Sequence, residues 1–389
     1  MFIGRIVTRF GSMIWSMLTL ILNQKLGYSA AQVSVFMLVF SAVNMIMVYV
    51  GGKLADFYSK KRCIIYFDIV SVLLYYVCAF IPLGNWTVAL IVLSASCQWA
   101  ERPAYDAIIA DITTTEDRER AYALQYLGTN IGLMIAPTLA GILFKNHLPL
   151  LFIICATAIG TSTILIALKV NNLTPVIELD KKEQLRRDGE SIWRILADNK
   201  ILILYVLIVG FYAAGYDQYN YLMPLDLGRM YGEDGALLFG TVGSTNCIIV
   251  VVFSSIILKQ FASVGPESKF LISEFLLIAG FTVFILFINF IPAYYIAIAL
   301  FTFGEIFECI AAAPFKMAHT PASHRGRIEG FCNVVVNVMD SLLILVVGWL
   351  YDNIGYRFAW SFAIVLLMIA VVMTLILKKI GKKEAGNAA

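Results

Sequence analysis

Long apolar stretches separated by short polar connections run through almost the whole chain. Most are about 20 residues long, the length of helix that crosses the hydrocarbon core of a bilayer. The pattern predicts twelve transmembrane helices, over residues 2–22, 30–53, 63–83, 86–110, 121–144, 147–169, 200–223, 236–258, 268–290, 292–316, 328–351 and 357–380. Arg5 and Arg9 ahead of the first apolar core also fit a signal peptide, whose removal would leave eleven spans.

The composition agrees with an all-α integral membrane protein. Of the 389 residues, 60% are hydrophobic and 14% are charged, whereas soluble domains have about 45–50% and about 25%. The seven cysteines include no C-x-x-C pair, so they predict free thiols rather than disulfides or a metal site. The basic residues form no dense patch of the kind that binds nucleic acid. We therefore expect no metal, no cofactor and no nucleic-acid partner.

The longest polar segment, residues 170–199, divides the apolar stretches six and six. It is rich in charge, with Lys181, Lys182, Glu183, Arg186 and Arg187 close together. We predict an N-terminal six-helix bundle over residues 1–169, a cytosolic linker over 170–199, and a C-terminal six-helix bundle with a short cytosolic tail over 200–389.

The distribution of lysine and arginine predicts the orientation. With the N-terminus inside, the outer loops carry only Lys25, Lys145, Arg229 and Arg357, and almost all other basic residues face the cytosol. Cytosolic loops of membrane proteins are enriched in these residues. Both termini are therefore expected in the cytosol, with the protein in the inner or plasma membrane.

An internal repeat is visible at an offset of 207 residues. It aligns Glu101 with Glu308, Asn130 with Asn337, and Gly141 with Gly348. Parallel repeats in transporters are related by an axis along the membrane normal, and the substrate site lies where the repeats meet. The repeat predicts two pseudo-symmetric bundles.

Between the second and third predicted spans the sequence reads GKLADFYSKKR. We expect Gly52 to allow close helix approach and Asp56 to cap or bond a neighbouring helix. The basic residues, Lys60, Lys61 and Arg62, would anchor the loop at the inner surface.

This loop is similar to the G-x-x-x-D-R-x-G-R-R loop of the major facilitator superfamily, which the chain resembles over its whole length. The resemblance implies two six-helix bundles and a cytosolic latch between conformational states. Phe57 and Ser59 depart from the family's arginine and glycine, which implies a weaker or differently partnered latch.

The fifth predicted span carries Gly132, Ala136, Pro137 and Gly141 on one stripe. This is similar to the family's G-x-x-x-G-P-x-x-G-G pattern, which is associated with antiporters, and it favours export. Small residues on one face also let helices pack closely in any membrane bundle.

Charged residues inside apolar spans carry the candidate chemistry, because each costs several kcal/mol in lipid unless it is paired or hydrated. Arg102 is expected to satisfy one carboxylate, most simply Glu101 or a neighbour on the facing helix. The other acids must then be protonated part of the time or face a water-filled cavity. The candidate residues for proton coupling or a substrate cavity are Glu101, Arg102, Asn130, Asp217, Glu305, Glu308, Asn337 and Asp340.

Other polar residues receive different interpretations. Asp106 and Asp111 are expected to make structural or gate contacts at the inner end of their helix, and Asp68 to pair with the basic loop. Aromatic faces attract cations, so Tyr216 and its neighbours on the seventh span are candidates to face a cationic substrate. Ordinary packing explains most tyrosines in such proteins.

These observations predict a monomeric secondary transporter that works by alternating access. By resemblance to the drug/proton antiporters of the superfamily, its activity would be proton-driven efflux of small amphipathic or cationic compounds. A proton-coupled importer of a peptide, sugar or other nutrient is the first alternative. A membrane receptor or enzyme is a remote one, since the chain has no H-E-x-x-H, nucleophile-elbow or phosphate-loop motif.

Overall fold

A computed structural model describes residues 2–113, 115–169, 195–196, 199–320 and 325–388. Within these ranges the regular structure is entirely helical, as the sequence predicts. The α-helices are α1 (Phe2–Phe10), α2 (Met13–Leu20), α3 (Ala30–Phe57), α4 (Lys60–Phe80), α5 (Asn85–Ile112), α6 (Thr115–Leu133), α7 (Ala136–Phe144), α8 (Leu148–Lys169), α9 (Lys200–Tyr216), α10 (Gln218–Tyr231), α11 (Gly235–Gln260), α12 (Pro266–Leu286), α13 (Ile291–His319), α14 (Arg325–Asn353) and α15 (Tyr356–Ala388).

Ten helical stretches in the described residues are long and apolar enough to cross a membrane. One of them, Lys200–Gln260, covers two predicted spans, because α9, α10 and α11 follow one another almost without interruption. Helix α5 is not among the ten, and it carries Glu101, Arg102, Asp106 and Asp111.

Three predicted spans are interrupted helices. Residues Gly11–Ser12 separate α1 from α2, Met134–Ile135 separate α6 from α7, and Asp217 separates α9 from α10. Pro137 explains the second break, since proline has no N–H to give to the carbonyl four residues earlier and its ring clashes with that carbonyl. The apolar pattern passes through the first two breaks, and the polar residues at the third were interpreted as candidate chemistry, so the sequence analysis did not reveal the breaks.

The start of α3 shows how local sequence fixes a helix end. The backbone N–H of Gln32 donates to Ser29 Oγ at 3.3 Å, and the backbone N–H of Ser29 donates to Gln32 Oε1 at 2.9 Å. This reciprocal capping box satisfies backbone donors that have no partner inside the helix.

The described chain forms two compact units. Unit 1 comprises Met1–Glu178 and Met223–Val251. Within it, α5 packs on α3 and α4, α4 packs on α8, and α1 packs on α6 and α8. A buried core beneath α4 and α5 includes Ile64, Ala104 and Tyr105.

The segment Met223–Val251 belongs to unit 1 because α11 packs tightly on α7. A Cβ at Gly240 would clash with the carbonyl of Pro137, and a Cβ at Gly141 would lie 2.5 Å from the carbonyl oxygen of Ala236. Thr138 Oγ1 and Ser244 Oγ lie 2.7 Å apart and share a hydrogen bond. Only glycine permits this approach of two helix backbones.

Unit 2 comprises Leu179–Leu222 and Val252–Ala389. Within it, α12 packs on α13 and α15, and α9 packs on α14 and α15. Its core contains aromatic rings, with centroids of Tyr205 and Phe315 5.2 Å apart and those of Phe284 and Trp360 4.4 Å apart.

The predicted boundary between bundles, residues 170–199, lies outside the described residues except for 195–196 and 199. The assignment of 1–169 and 200–389 to two six-helix bundles therefore stays a prediction. The compact units follow a different division, with borders inside α10 and inside α11.

Candidate functional site

The clearest polar contact inside the helices of unit 2 joins α9 to α13. Tyr216 Oη donates a hydrogen bond to Glu305 Oε2 at 2.8 Å. Tyr216 is the last residue of α9, immediately before the break at Asp217. The phenol at the end of α9 therefore meets an acid of α13 next to the helix break, and both residues are predicted candidates.

Aromatic rings surround this contact. The centroid of Tyr216 is 6.3 Å from that of Tyr212 in a stacked pair and 5.4 Å from that of Tyr219 in an edge-on pair. Tyr219 in turn contacts Phe301 at 6.0 Å. The tyrosines therefore pack on one another and on a core phenylalanine, so packing accounts for their positions without a substrate.

Two further acids lie near Glu305. Asp217 is within electrostatic range of both Glu305 and Asp340. Asp340 Oδ1 is buried and has no hydrogen-bond partner among the described residues. Three of the predicted candidates are therefore neighbours in unit 2.

Glu308 lies on a small cleft a turn away from Glu305. The cleft is lined by Tyr212, Ser273, Glu274 and Glu308 together with apolar side chains. Ser273 Oγ donates to the carbonyl of Gly304 at 2.6 Å and lies 3.1 Å from Tyr212 Oη.

Glu274 was missing from the sequence-based candidates. It is 1% exposed, and its Oε1 accepts a hydrogen bond from Thr374 Oγ1 at 2.7 Å. The signal was present, because Glu274 stands inside the apolar stretch 268–290 and meets the same criterion as the acids that were selected.

Basic charge is scarce beside these acids. Lys316, the basic residue in electrostatic range of Glu308, forms an ion pair with Glu329 of α14. The described surroundings of Glu305, Glu308, Asp217 and Asp340 are therefore rich in acids, which suits protons or cations rather than anions.

In unit 1 the predicted pairing of Arg102 with Glu101 is wrong. The guanidinium of Arg102 lies over the ring of Trp99, 5.3 Å from its centroid, and the side chain is exposed. Glu101 is 4% exposed and lies within hydrogen-bonding distance of Asp68.

The expectation for Asp68 is also wrong. Instead of pairing with the basic loop, Asp68 is 1% exposed, and its Oδ2 accepts a hydrogen bond from Thr163 Oγ1 at 2.7 Å. Arg5 and Arg9 of α1 are the arginines in electrostatic range of Glu101. Arg5 Nε donates to Thr129 Oγ1 at 3.2 Å.

The two repeat-related asparagines make the same local contact. Asn130 Nδ2 donates to the carbonyl of Tyr126 at 3.0 Å, and Asn337 Nδ2 donates to the carbonyl of Asn333 at 2.6 Å. Each bond stays within its own helix, so a role for either residue in a cavity stays a prediction.

In the loop after α3, the glycine that allows close approach is Gly51 rather than the predicted Gly52. A Cβ at Gly51 would clash with the carbonyl of Ala100 in α5, whereas a Cβ at Gly52 would meet only the Pro103 side chain at an ordinary 3.8 Å. The reason is that adjacent helical residues point about 100° apart, so only Gly51 faces the backbone of α5.

The basic residues of this loop hold neighbouring helices. Lys60 Nζ pairs with Asp111 Oδ2 at 2.6 Å, and Lys61 Nζ donates to the carbonyl of Ala167 at 2.7 Å, while Arg62 is exposed. The contact of Asp111 agrees with its predicted structural role. The side chain of Asp56 lies outside the described part of the chain, so the latch stays a prediction.

The stripe of the fifth predicted span is a packing surface at both ends. A Cβ at Gly132 would lie 2.5 Å from the carbonyl oxygen of Ile6 in α1, and Gly141 faces α11 as described above. Ala136 and Pro137 are buried between them. This geometry is what close helix packing requires and does not by itself indicate antiport.

Two further ion pairs in unit 1 were not predicted. Lys25 Nζ lies 2.7 Å from Glu233 Oε1, and Lys145 Nζ lies 2.8 Å from Asp234 Oδ1. The hydrogen bond and charge of Asp234 raise the pKa of Lys145 above its ordinary value. Sequence reasoning used these lysines only to count charge in the outer loops.

Comparison with known proteins places these features in a family. Residues 1–343 match the sequence profile of the Major Facilitator Superfamily. A Na(+), Li(+), K(+)/H(+) antiporter of Planococcus maritimus is 20% identical over 81% of this chain and 79% of its own length. The uncharacterized MFS-type transporter YqjV of Bacillus subtilis (strain 168) is 22% identical over 77% of this chain and 73% of its own length.

Solved structures share the fold. A POT family transporter in complex with 5-aminolevulinic acid has a TM-score of 0.75 at 14% identity, covering 98% of this chain and 95% of that chain. A bacterial homolog of the human lysosomal transporter Spinster, inward-facing and unoccupied, has a TM-score of 0.69 at 15% identity, covering 97% and 95%. At these identities the likeness concerns the fold alone.

Proposed function

The chain belongs to the major facilitator superfamily and is a multi-pass membrane transporter, and we propose that it is a proton-coupled antiporter of small cationic or amphipathic compounds. The observation that carries the proposal is the Tyr216–Glu305 hydrogen bond within an acid-rich group that also contains Asp217, Glu308 and Asp340. A proton and a cation are natural competitors for such a group, because each neutralises it. Neither a cofactor nor a nucleotide is required.

The direction and the substrate class draw support from two further features. The small-residue stripe around Pro137 is similar to the antiporter pattern of the superfamily. The Planococcus relative is named for exchange of monovalent metal ions against protons, and such ions fall within the cationic class proposed here.

In this mechanism the donor from Tyr216 stabilises ionised Glu305, which attracts the cation. A proton that enters from outside neutralises the acidic group and releases the cation outward. Proton loss to the cytosol restores the negative charge. Glu101 in unit 1 is a candidate for the same exchange.

The proposal includes twelve crossings in two six-helix bundles. In this assignment α1 with α2, α6 with α7, and α9 with α10 each form one crossing, and α5 crosses despite its charges. The protein is a monomer in the cell membrane. Both termini and residues 170–199 face the cytosol.

Transport into proteoliposomes tests the exchange. A proton gradient is imposed, the internal pH is followed with a trapped fluorescent dye, and Na⁺, K⁺ or tetraphenylphosphonium is added. We expect at least one cation to dissipate the gradient in the wild type and in the exposed control Asp352→Asn, but not in Glu305→Gln. Dissipation of equal rate in Glu305→Gln would contradict the assignment of the site.

The same vesicles separate export from import. Antiport moves the cation against the direction of the protons, whereas accumulation of a di- or tripeptide together with protons would establish the importer. Labelling by a membrane-impermeant maleimide tests orientation, with Asn146→Cys expected to react from outside and Leu185→Cys to be protected, in a background where the exposed Cys309 is replaced.

A further inference from the structure

Two buried carboxyl groups meet in unit 1, on the neighbouring helices α4 and α5. Asp68 is 1% exposed and Glu101 is 4% exposed, and the two side chains are within hydrogen-bonding distance of each other. Thr163 Oγ1 donates to Asp68 Oδ2 at 2.7 Å. The oxygens Asp68 Oδ1 and Glu101 Oε2 are buried and receive no hydrogen bond from a described donor.

The charged and titratable groups that face this pair come from several helices. Arg5 and Arg9 on α1 are in electrostatic range of Glu101. Tyr105 and Cys97 on α5 are in electrostatic range of Asp68. Helix α8 contributes the hydroxyl of Thr163, which carries no charge.

The arginines do not neutralise the pair by contact. The ion pairs in the described part of the chain involve other acids, and neither Asp68 nor Glu101 takes part in one. Two ionised carboxylates that are buried against each other without a direct counterion repel each other strongly. One proton held between them removes the repulsion and supplies the donor that the buried oxygens lack.

We propose that Asp68 and Glu101 bind a single proton between them, so that this pair is a proton-binding site of unit 1. The pair titrates as a unit rather than as two independent acids. The role of this site in transport rests on the antiport proposed above, where it would be a second coupling site beside Glu305. With one proton the pair carries a single negative charge, and loss of that proton would add a second negative charge facing Arg5 and Arg9, which links protonation to the position of α1.

Infrared spectroscopy tests the site directly with the proton as the ligand. The protein in lipid bilayers is examined at neutral pH, where a protonated carboxyl group gives a C=O stretching band that an ionised one lacks. We compare the wild type with Asp68→Asn, Glu101→Gln and the double variant. Because one proton is shared, each single variant should lose the same C=O band, with the intensity of one carboxyl group. The double variant should lose no more intensity than either single variant.

Other outcomes overturn the proposal. Persistence of the band in Asp68→Asn would mean that Glu101 holds a proton alone, and losses that add in the double variant would mean two independent protons. The measurement needs no transport. A transport-inactive protein that keeps the shared band would therefore refute antiport without refuting the site.

A milder variant protects the test against misfolding. Thr163→Val keeps both carboxyl groups and removes the donor to Asp68, so the band should persist and shift in frequency. Thr161→Val on the same helix is the control, since Thr161 Oγ1 donates only to the carbonyl of Thr157 at 2.7 Å. A band unmoved by Thr163→Val would place the proton elsewhere.

Discussion

The buried acids of the two units meet the same physical demand in different ways. In unit 1, Asp68 and Glu101 lie against each other, with arginines near but not in contact, and Asp68 also accepts a hydroxyl hydrogen bond from Thr163. In unit 2, each of two acids accepts a hydroxyl hydrogen bond, Glu305 from Tyr216 and Glu274 from Thr374. A hydroxyl donor serves an ionised carboxylate, whereas an acid pair requires a proton. Under the two proposals above, unit 1 holds one proton shared between two acids, whereas in unit 2 Glu305 exchanges its proton during transport.

The largest effect should follow loss of charge in unit 2. Glu305→Gln keeps the shape and the acceptor for Tyr216 but cannot take up a proton, so gradient-driven transport should be lost. Proteoliposome flux under an imposed proton gradient measures it. Tyr216→Phe, which keeps the acid, should slow transport less than Glu305→Gln does. The reverse order would show that the phenol rather than the acid matters.

A steric change in unit 1 should come next. In Gly51→Ala the new methyl group would clash with the carbonyl of Ala100, the residue before Glu101. Overpacking of this kind costs about 1–3 kcal/mol, and the displaced α5 should also alter the carboxyl band of the Asp68–Glu101 pair. Thermal unfolding in detergent and infrared spectra measure the two effects.

Gly52→Ala is the matched control, because its Cβ has an ordinary contact of 3.8 Å. It should unfold at nearly the wild-type temperature and keep the band. If both variants behaved alike, the close approach of α3 to α5 would not be what positions Glu101.

A smaller effect should appear at the other hydroxyl-bonded acid. Thr374→Val leaves buried Glu274 without its donor, and an unsatisfied buried polar group costs about 1–3 kcal/mol. Glu274→Gln retains an acceptor for Thr374 and should cost less, as measured by unfolding in the same detergent. A greater loss in Glu274→Gln would mean that the ionised acid has a counterion there, and the contrast between the units would weaken.

The sequence predicts the helical framework well and the partners of its polar residues poorly. The stretch predicted over 30–53 is helical over Ala30–Phe57, and that predicted over 268–290 is helical over Pro266–Leu286. The length of an apolar run is sufficient to predict a membrane-spanning helix of this kind. The break at Asp217 lies in a short polar run, but these polar residues are compatible with a helix, so the run alone does not predict a break.

The pairing errors have a geometric cause. Glu101 and Arg102 are adjacent in sequence, so on a helix they point about 100° apart and cannot both face inward. The true neighbour of Glu101 is Asp68, on a different helix, and one sequence contains no signal for that contact. Glu274 is a different case, since its position within an apolar stretch was sufficient to select it.

The smallest effect is expected at the exposed ion pair of unit 1, which contrasts with both groups of buried acids. Asp234 raises the pKa of Lys145 above its ordinary value of 10.5, so the stabilising interaction is complete below that pH and is lost as the pH rises through the raised pKa. Solvent and salt screen such a pair, and Lys145→Gln should lower the unfolding temperature only slightly, and less at high salt. Lys145→Arg should keep the wild-type stability even at a pH where lysine is deprotonated, because the guanidinium stays charged. A loss in Lys145→Gln that persisted undiminished at high salt would mean that the pair is held away from solvent.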